Sequence, residues 1–294
     1  MICDKGKNSA ARQKNTPYWS CFLMRRLHTN RMISPFVPVA DPRPVDTPWP
    51  DMVWPLPSGT HLHGAVVQLS PLRPDVDAPA LFAALDHQHV WNFMPIARPQ
   101  TANDLEALLR ARAELPNWHQ WVVRTVQEYR GVLAGSVVGM TSFVNASVSD
   151  ARVEIGGTLY APEVWGSAVN PETKLLLLST AFDHLNVGRV ELRTDTRNTR
   201  SQLAITRLGA MYEGTQRRYA RRPDGTVRDT VLFSIVAEDW PTVRHNLVNR
   251  VSAFDSQAGG ALEVRHRPHP DPSQTSSNIT SSTAEVIPQS QTCG

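Results

Sequence analysis

The sequence predicts a mixed α/β fold, with helices packed on both faces of one sheet. Three observations carry that prediction. Between about Gly59 and Val251, segments with two-residue apolar alternation are interleaved with segments of three-to-four-residue spacing. Two long strand-like runs near the end are joined through Pro223-Asp224-Gly225, a turn suited to a hairpin. No internal repeat divides the region, so a single domain is expected.

Taken in order, Ala65–Leu69 opens a β-rich run. Pro79–His89 and Asp104–Leu115 follow as amphipathic helices, the second with Leu105, Leu108, Leu109 and Ala113 on one side. Trp118–Val126 and Ser136–Val144 are β-branched and aromatic runs separated by a glycine-containing turn, and Arg152–Tyr160 is a further strand. Asn170 and Pro171 are a favoured N-cap and first helical residue, so a helix is expected over Pro171–Leu185. Arg189–Thr194 alternates Val190, Leu192 and Thr194 with Arg189, Glu191 and Arg193, as a strand with one buried face does. Ser201–Leu208 is a short helix stopped by Gly209, then come strands Thr215–Arg222 and Val227–Val236 and a closing helix over Asp239–Val251.

Composition separates this domain from its flanks. The 294 residues carry a net charge of +3, with 41% hydrophobic residues and three cysteines. Residues 1–31 hold seven Lys and Arg (Lys5, Lys7, Arg12, Lys14, Arg25, Arg26, Arg31) against Asp4, a net of +6, so the remainder sums to −3. That basic stretch lacks an apolar core of the kind a secretory leader needs, and is expected to be a disordered extension. Residues 32–58 form a proline-rich arm with eight prolines between Pro35 and Pro57. Residues 252–294 are rich in Ser, Thr and Pro and are expected to be disordered; the sequon Asn278-Ile279-Thr280 there is discounted. No run of 18 apolar residues exists, so no membrane partner and a cytoplasmic location are expected. Cys3, Cys21 and Cys293 all lie near the ends, which leaves the domain without a disulfide framework, a thiolate metal site or a cysteine nucleophile.

The most informative stretch is Leu159–Ala181, LYAPEVWGSAVNPETKLLLLSTA. A strand, a turn of small residues and a helix start follow one another. The amides of Gly166, Ser167, Ala168 and Val169 and of the first helical turn would then converge as an anion site. Any strand–turn–helix can look this way, and neither a P-loop nor a GxGxxG pattern is present.

With VEIGGTLYAPEVWG, VNPETKLLLL and RVELRTDTRNTRSQLAITRLGAMYEG in view, the segment from Leu62 to Val251 resembles the Gcn5-related N-acetyltransferases (GNAT). Within them it is similar to the RimJ/RimL branch of ribosomal-protein N-terminal acetyltransferases. The resemblance implies a mostly antiparallel sheet of six to seven strands with a splayed central parallel pair, here Arg152–Tyr160 and Arg189–Thr194. It also implies acetyl-CoA as cosubstrate, with Leu159, Tyr160, Trp165, Gly166, Ser167, Ala168, Val169, Asn170 and Asn198 as its contacts. Ala168 and Asn170 depart from the family's glycine-rich turn, and Ala168 would need a glycine-like backbone angle or a shifted loop. Ile205 stands where many relatives have a tyrosine.

Catalytic roles are likewise implied by position. Glu154 precedes Gly156-Gly157, a plausible bulge, and is either a general base or a salt-bridged strand residue. Ser201 either reaches the CoA sulfur or caps its helix. Asn198 is a cofactor contact or a turn residue. Trp91, Asn92 and Phe93 either floor the acceptor pocket or pack in the core. His61, His63, His87, His89 and His119 match no metal spacing, so no metal is expected. Arg217, Arg218, Arg221, Arg222 and Arg228 crowd the final hairpin and read more readily as a solvated face than as a nucleic-acid surface. The expected activity is acetyl transfer to a primary amine by direct attack, with a protein N-terminus as the leading acceptor. A small-molecule amine, or a catalytically degenerate CoA-binding module, is the alternative, and a homodimer is allowed for.

Overall fold

A computed structural model describes residues 37–42, 46 and 48–257. The basic extension 1–31 and the sequon-bearing stretch beyond Gln257 lie outside the described residues. The chain divides into two units, Met1–Thr47 and Pro48–Gly294, and every helix and strand described belongs to the second.

Eight strands build one sheet: β1 Leu62–His63, β2 Val67–Pro71, β3 His119–Thr125, β4 Val137–Ser147, β5 Arg152–Tyr160, β6 Arg189–Asp195, β7 Met211–Arg221 and β8 Val227–Val236. Six α-helices accompany them: α1 Pro74–Leu85, α2 Gln88–Trp91, α3 Ala102–Ala113, α4 Val169–Ser179, α5 Thr199–Thr206 and α6 Trp240–Gln257. The strand order is β1-β2-β3-β4-β5-β6-β8-β7, and every pair is antiparallel except β5 with β6. That parallel pairing covers Arg152–Glu154 against Arg189–Glu191 and then stops, while both strands run on; the central pair is splayed. The strand beyond the expected seven is β1, whose two residues are too short to show periodicity.

Several boundaries move for identifiable reasons. The first helix begins at Pro74, in the first turn where a missing N–H costs nothing, and carries Pro79 inside it. It breaks after Leu85, and the residues expected to continue it form the separate short α2. Helix α4 begins at Val169 rather than Pro171, with Ala168 as N-cap in place of Asn170. Pro171 sits in the first turn, where its lack of a donor is harmless, and the Ser167 hydroxyl accepts the Val169 amide at 3.1 Å. The same helix ends at Ser179 and widens into a π-turn over Thr180–His184. The second half of the proline-rich arm is built into the domain: Met52 and Leu56 are core residues and the Val53 amide donates to Leu185 O at 2.9 Å. Helix α6 likewise runs past Val251 to Gln257.

One face of the sheet packs against α4, α6 and the 52–56 segment, burying Trp121, Phe143, Val153, Val190 and Phe233. On the other face α1, α2 and α3 cover Val122, Met140 and Leu159. Each fully buried side chain of this size contributes roughly 1.5–3 kcal/mol. A buried carboxylate ties α4 to the far side of the sheet: Glu172 accepts the amides of Ala65, Val66 and Val67 at 2.8, 2.7 and 2.7 Å. Gly64 lies against that carboxylate so closely that a Cβ would collide with it. No helix among the described residues is long and apolar enough to cross a membrane.

Candidate active site

The divergence of β5 from β6 opens a cavity of about 690 Å³. Its walls come from the cofactor-type turn before α4, the start of α5, the β7–β8 hairpin and the segment after α2. Local sequence explains the opening. Register slips between Met140 and Ser142 opposite β5, at Gly157, whose φ is +59°. This is the bulge the glycine pair suggested; a side chain there would be strained by the left-handed backbone, though nothing but Ser142 approaches its Cβ position.

The turn between β5 and α4 is held by its own side chains. Trp165 donates from Nε1 to Tyr160 O at 3.0 Å, bridging the strand end and the turn. Ser167 donates its hydroxyl to Val164 O at 2.6 Å. Gly166 takes the left-handed backbone, φ +70°, whereas Ala168 is right-handed helical at φ −70° and needs no glycine-like angle. The substitution of alanine at that position is therefore accommodated without strain. The Val169 amide is already taken by Ser167, so it is not available to an anion. The amides of Gly166, Ser167 and Asn170 have no acceptor among the described residues, and all three residues line the cavity. Arg200 stacks over the Trp165 indole, its guanidinium carbon 3.5 Å from the ring centroid, and adds positive charge at the same end.

Of the remaining residues singled out from sequence, Glu154, Leu159, Tyr160, Asn198, Ser201 and Phe93 line the cavity. Ala168 and Val169 are buried behind its wall. Trp91 is not part of it: the indole packs in the α1–α3 core and donates to Leu85 O at 2.8 Å. Asn92 is exposed and accepts a hydrogen bond from Gln88. Asn198 is the N-cap of α5, accepting the Ser201 amide at 3.0 Å. Ser201 is thus not the cap; it lines the cavity, and its hydroxyl has no hydrogen-bond partner among the described residues. Ile205, one turn on, packs into the core and also lines the cavity.

Glu154 is the salt-bridged strand residue the sequence offered as one reading, and it also lines the cavity. Asn145 donates to its Oε2 at 3.0 Å and Arg193 lies 3.4 Å away. Burial pushes its carboxyl above the usual range, and Arg193 and Asn145 only partly offset that. Arg193 also pairs with Glu191 at 2.5 Å and donates to the Tyr219 hydroxyl, and Arg189 bridges Glu191 and Glu213. This alternating chain of charges separates Glu154 from Glu191, its like-charged neighbour in register. The alternation in Arg189–Thr194 showed which face these residues share but not that they form one network.

Sequence reasoning missed Lys174, whose neighbours in LLLLS gave no signal of chemistry. It is 5% exposed, lines the cavity and donates from Nζ to Thr158 Oγ1 at 2.8 Å. Burial lowers its pKa to about 7. The hairpin arginines also divide. Arg217, Arg218 and Arg221 are exposed, whereas Arg222 is buried against Asp195 with two hydrogen bonds of 2.8 and 2.9 Å, and Arg228 is buried in the cavity wall. His119 is half-buried beside Trp121, with its pKa lowered to about 4 by partial desolvation. No cluster of three or more His, Cys, Asp or Glu suited to a metal occurs among the described residues.

Comparison with known proteins agrees with this architecture. The family description "Acetyltransferase (GNAT) domain" matches residues 67–211. A solved structure from T. thermophilus, provisionally named an acetyltransferase, is 33% identical, with a TM-score of 0.60 over 67% of this chain and 99% of its own. The provisionally named ribosomal N-acetyltransferase YdaF of Bacillus subtilis (strain 168) is 27% identical over 43% of this chain and 68% of its own. The uncharacterized N-acetyltransferase p20 of Bacillus licheniformis is 28% identical over 35% of this chain, and the match spans 57% of p20, little over half its length. With its sheet splayed at β5 and β6 and the turn before α4 lining the gap, the chain belongs to the GNAT acetyltransferase family.

Proposed function

We propose that the protein transfers the acetyl group of acetyl-CoA to a primary amine, with a protein N-terminal α-amine as acceptor. The carrying observation is the cavity between β5 and β6, which joins a turn of free amides at one end to Glu154 at the other. The turn amides of Gly166, Ser167 and Asn170, with Arg200, suit the diphosphate of the cosubstrate. The unpaired edges of β5 and β6 suit its amide-bearing arm. The likeness to YdaF, named for ribosomal N-acetyl transfer, supports a protein acceptor.

The chemistry assigned to this chain's residues is direct. The neutral amine attacks the acetyl carbonyl carbon, forming the C–N bond as the C–S bond breaks. Glu154, with its carboxyl raised by burial, accepts the amine proton directly or through water. The Ser201 hydroxyl lies in the wall and donates toward the departing thiolate. The bulge at Gly157 turns backbone toward the gap where the carbonyl oxygen gains charge. Cytoplasmic location and pairing of two copies belong to this proposal as well.

Thiol release from acetyl-CoA is the test, run with peptides bearing free α-amines and with polyamines. Release with the peptides supports the proposal. Release with polyamines alone moves the acceptor to small amines, and CoA binding without release on any amine leaves a binding module. Full activity in both Glu154→Gln and Ser201→Ala removes the roles given to those residues.

A further inference from the structure

Arg228, on β8, is 9% exposed and lines the cavity. Its Nε donates to Thr230 Oγ1 at 3.1 Å, which fixes the guanidinium and leaves both terminal nitrogens without a protein acceptor among the described residues. No carboxylate of those residues comes within ion-pairing distance of it, and the nearby ones are engaged. Asp195 is held by both arms of Arg222 at 2.8 and 2.9 Å, and Glu154 is held by Asn145 and Arg193. The contrast with Arg222 is direct: two arginines of one hairpin are equally buried, one with a fitted carboxylate and one without. A buried cation without a counter-charge is costly, and a fold keeps one where a ligand supplies the missing anion.

The position of the guanidinium identifies which ligand. It is close enough to Glu154 for the two charges to interact, and it shares the cavity wall with Tyr219. The cosubstrate's phosphates have their own donors at the other end, around Gly166 and Arg200. We infer that Arg228 binds a carboxylate carried by the acceptor itself, so that the substrate is an acidic amine. The planar fork of its two terminal nitrogens matches a carboxylate with two parallel hydrogen bonds. This rests on the acetyl-transfer reading above and narrows its acceptor. The carboxylate can be the side chain of an N-terminal Asp or Glu, or the α-carboxylate of a free amino acid.

The experiment compares matched acceptors that differ in that group alone. Peptides beginning with Asp or Glu are set against those beginning with Asn or Gln, and free amino acids against their amides. Expected is a preference of about tenfold or more in kcat/KM for the acidic member of a pair, the worth of a charge-assisted hydrogen bond. Preference in the peptide pairs identifies a side-chain carboxylate, and in the amino-acid pairs an α-carboxylate. In Arg228→Gln the preference collapses through KM of the acceptor, KM for acetyl-CoA is unchanged, and the urea midpoint is held or raised. In Arg228→Lys part of the preference returns. Equal use of acidic and amide acceptors by the wild type overturns the inference, as does an Arg228→Gln protein of normal stability that keeps the preference. Calorimetry with the N-acetylated acidic product needs no turnover and separates the two claims. Arg228-dependent product binding without thiol release on any amine fails the acetyl-transfer reading alone. Thiol release without acidic preference fails this inference alone.

Discussion

Replacing Lys174 by methionine should make the protein more stable at neutral pH, by an amount that shrinks as pH rises. The amine is almost wholly buried, with Thr158 as its hydrogen-bond partner, and burial lowers its pKa from 10.5 to about 7. At 1.36 kcal/mol per unit, that shift corresponds to roughly 5 kcal/mol of stability withheld while the folded amine is protonated. Between pH 7 and 10.5 the unfolded chain binds the extra proton and the folded one does not, so stability rises with pH through that window. Over pH 7 to 9 the rise is about 2 kcal/mol. Methionine fills a similar volume without a charge, and Thr158 keeps its bond to Thr141. Urea unfolding of wild type and Lys174→Met at pH 6, 7, 8 and 9 reads the difference, in which the other titrating groups cancel. An advantage of the methionine protein that narrows by about 2 kcal/mol between pH 7 and 9 is expected. A gap independent of pH would refute the buried amine.

The remaining predictions concern the base, the strap and the bulge. Glu154→Gln should lower kcat/KM by about 10²- to 10³-fold. In wild type the rate should fall on the acid side as pH drops through a carboxyl pKa above the ordinary glutamate value, and this limb should vanish in the variant; a pH–rate profile checks both. Glu172→Ala leaves the amides of Ala65, Val66 and Val67 without their carboxylate and should cost roughly 3 kcal/mol in urea unfolding, an unchanged midpoint ruling out the strap. Gly157→Ala should cost about 1–2 kcal/mol from its left-handed backbone alone, since Ser142 Oγ at 3.4 Å leaves room for the methyl. It should also weaken CoA binding, measured by calorimetry.

Legibility in the sequence followed the range of the interactions. Strands β5 and β8 match their expected bounds, because β-branched alternation and a Pro-Asp-Gly turn are local signals. The start of α4 did not, because the Asn-Pro pair is a strong local cap while the structure uses the Ser167 hydroxyl two residues before Val169. The turn around Gly166 and the bulge at Gly157 were legible because glycines and small residues are local signals, whereas Glu154, Asn198 and Ser201 were picked out only by the resemblance to the family. Lys174 and Arg228 were not, because what distinguishes them is burial without a counter-charge, which depends on neighbours remote in sequence. Trp91 could be read as a pocket or a core aromatic for a similar reason: only the packing of α1 and α3 decides that its ring lies in the core.

The splay of β5 from β6 puts a bare sheet edge inside the domain. At the outer margins the fold discourages stray strands from adding on: β1 is two residues long, and β7 carries the exposed Arg217, Arg218 and Arg221 beside an irregularity in its register. The inner edge is guarded by position instead, recessed within the cavity that the splay opens. The same backbone groups that would promote aggregation on a surface are, once recessed, withheld from neighbouring molecules and left available to whatever enters the cavity.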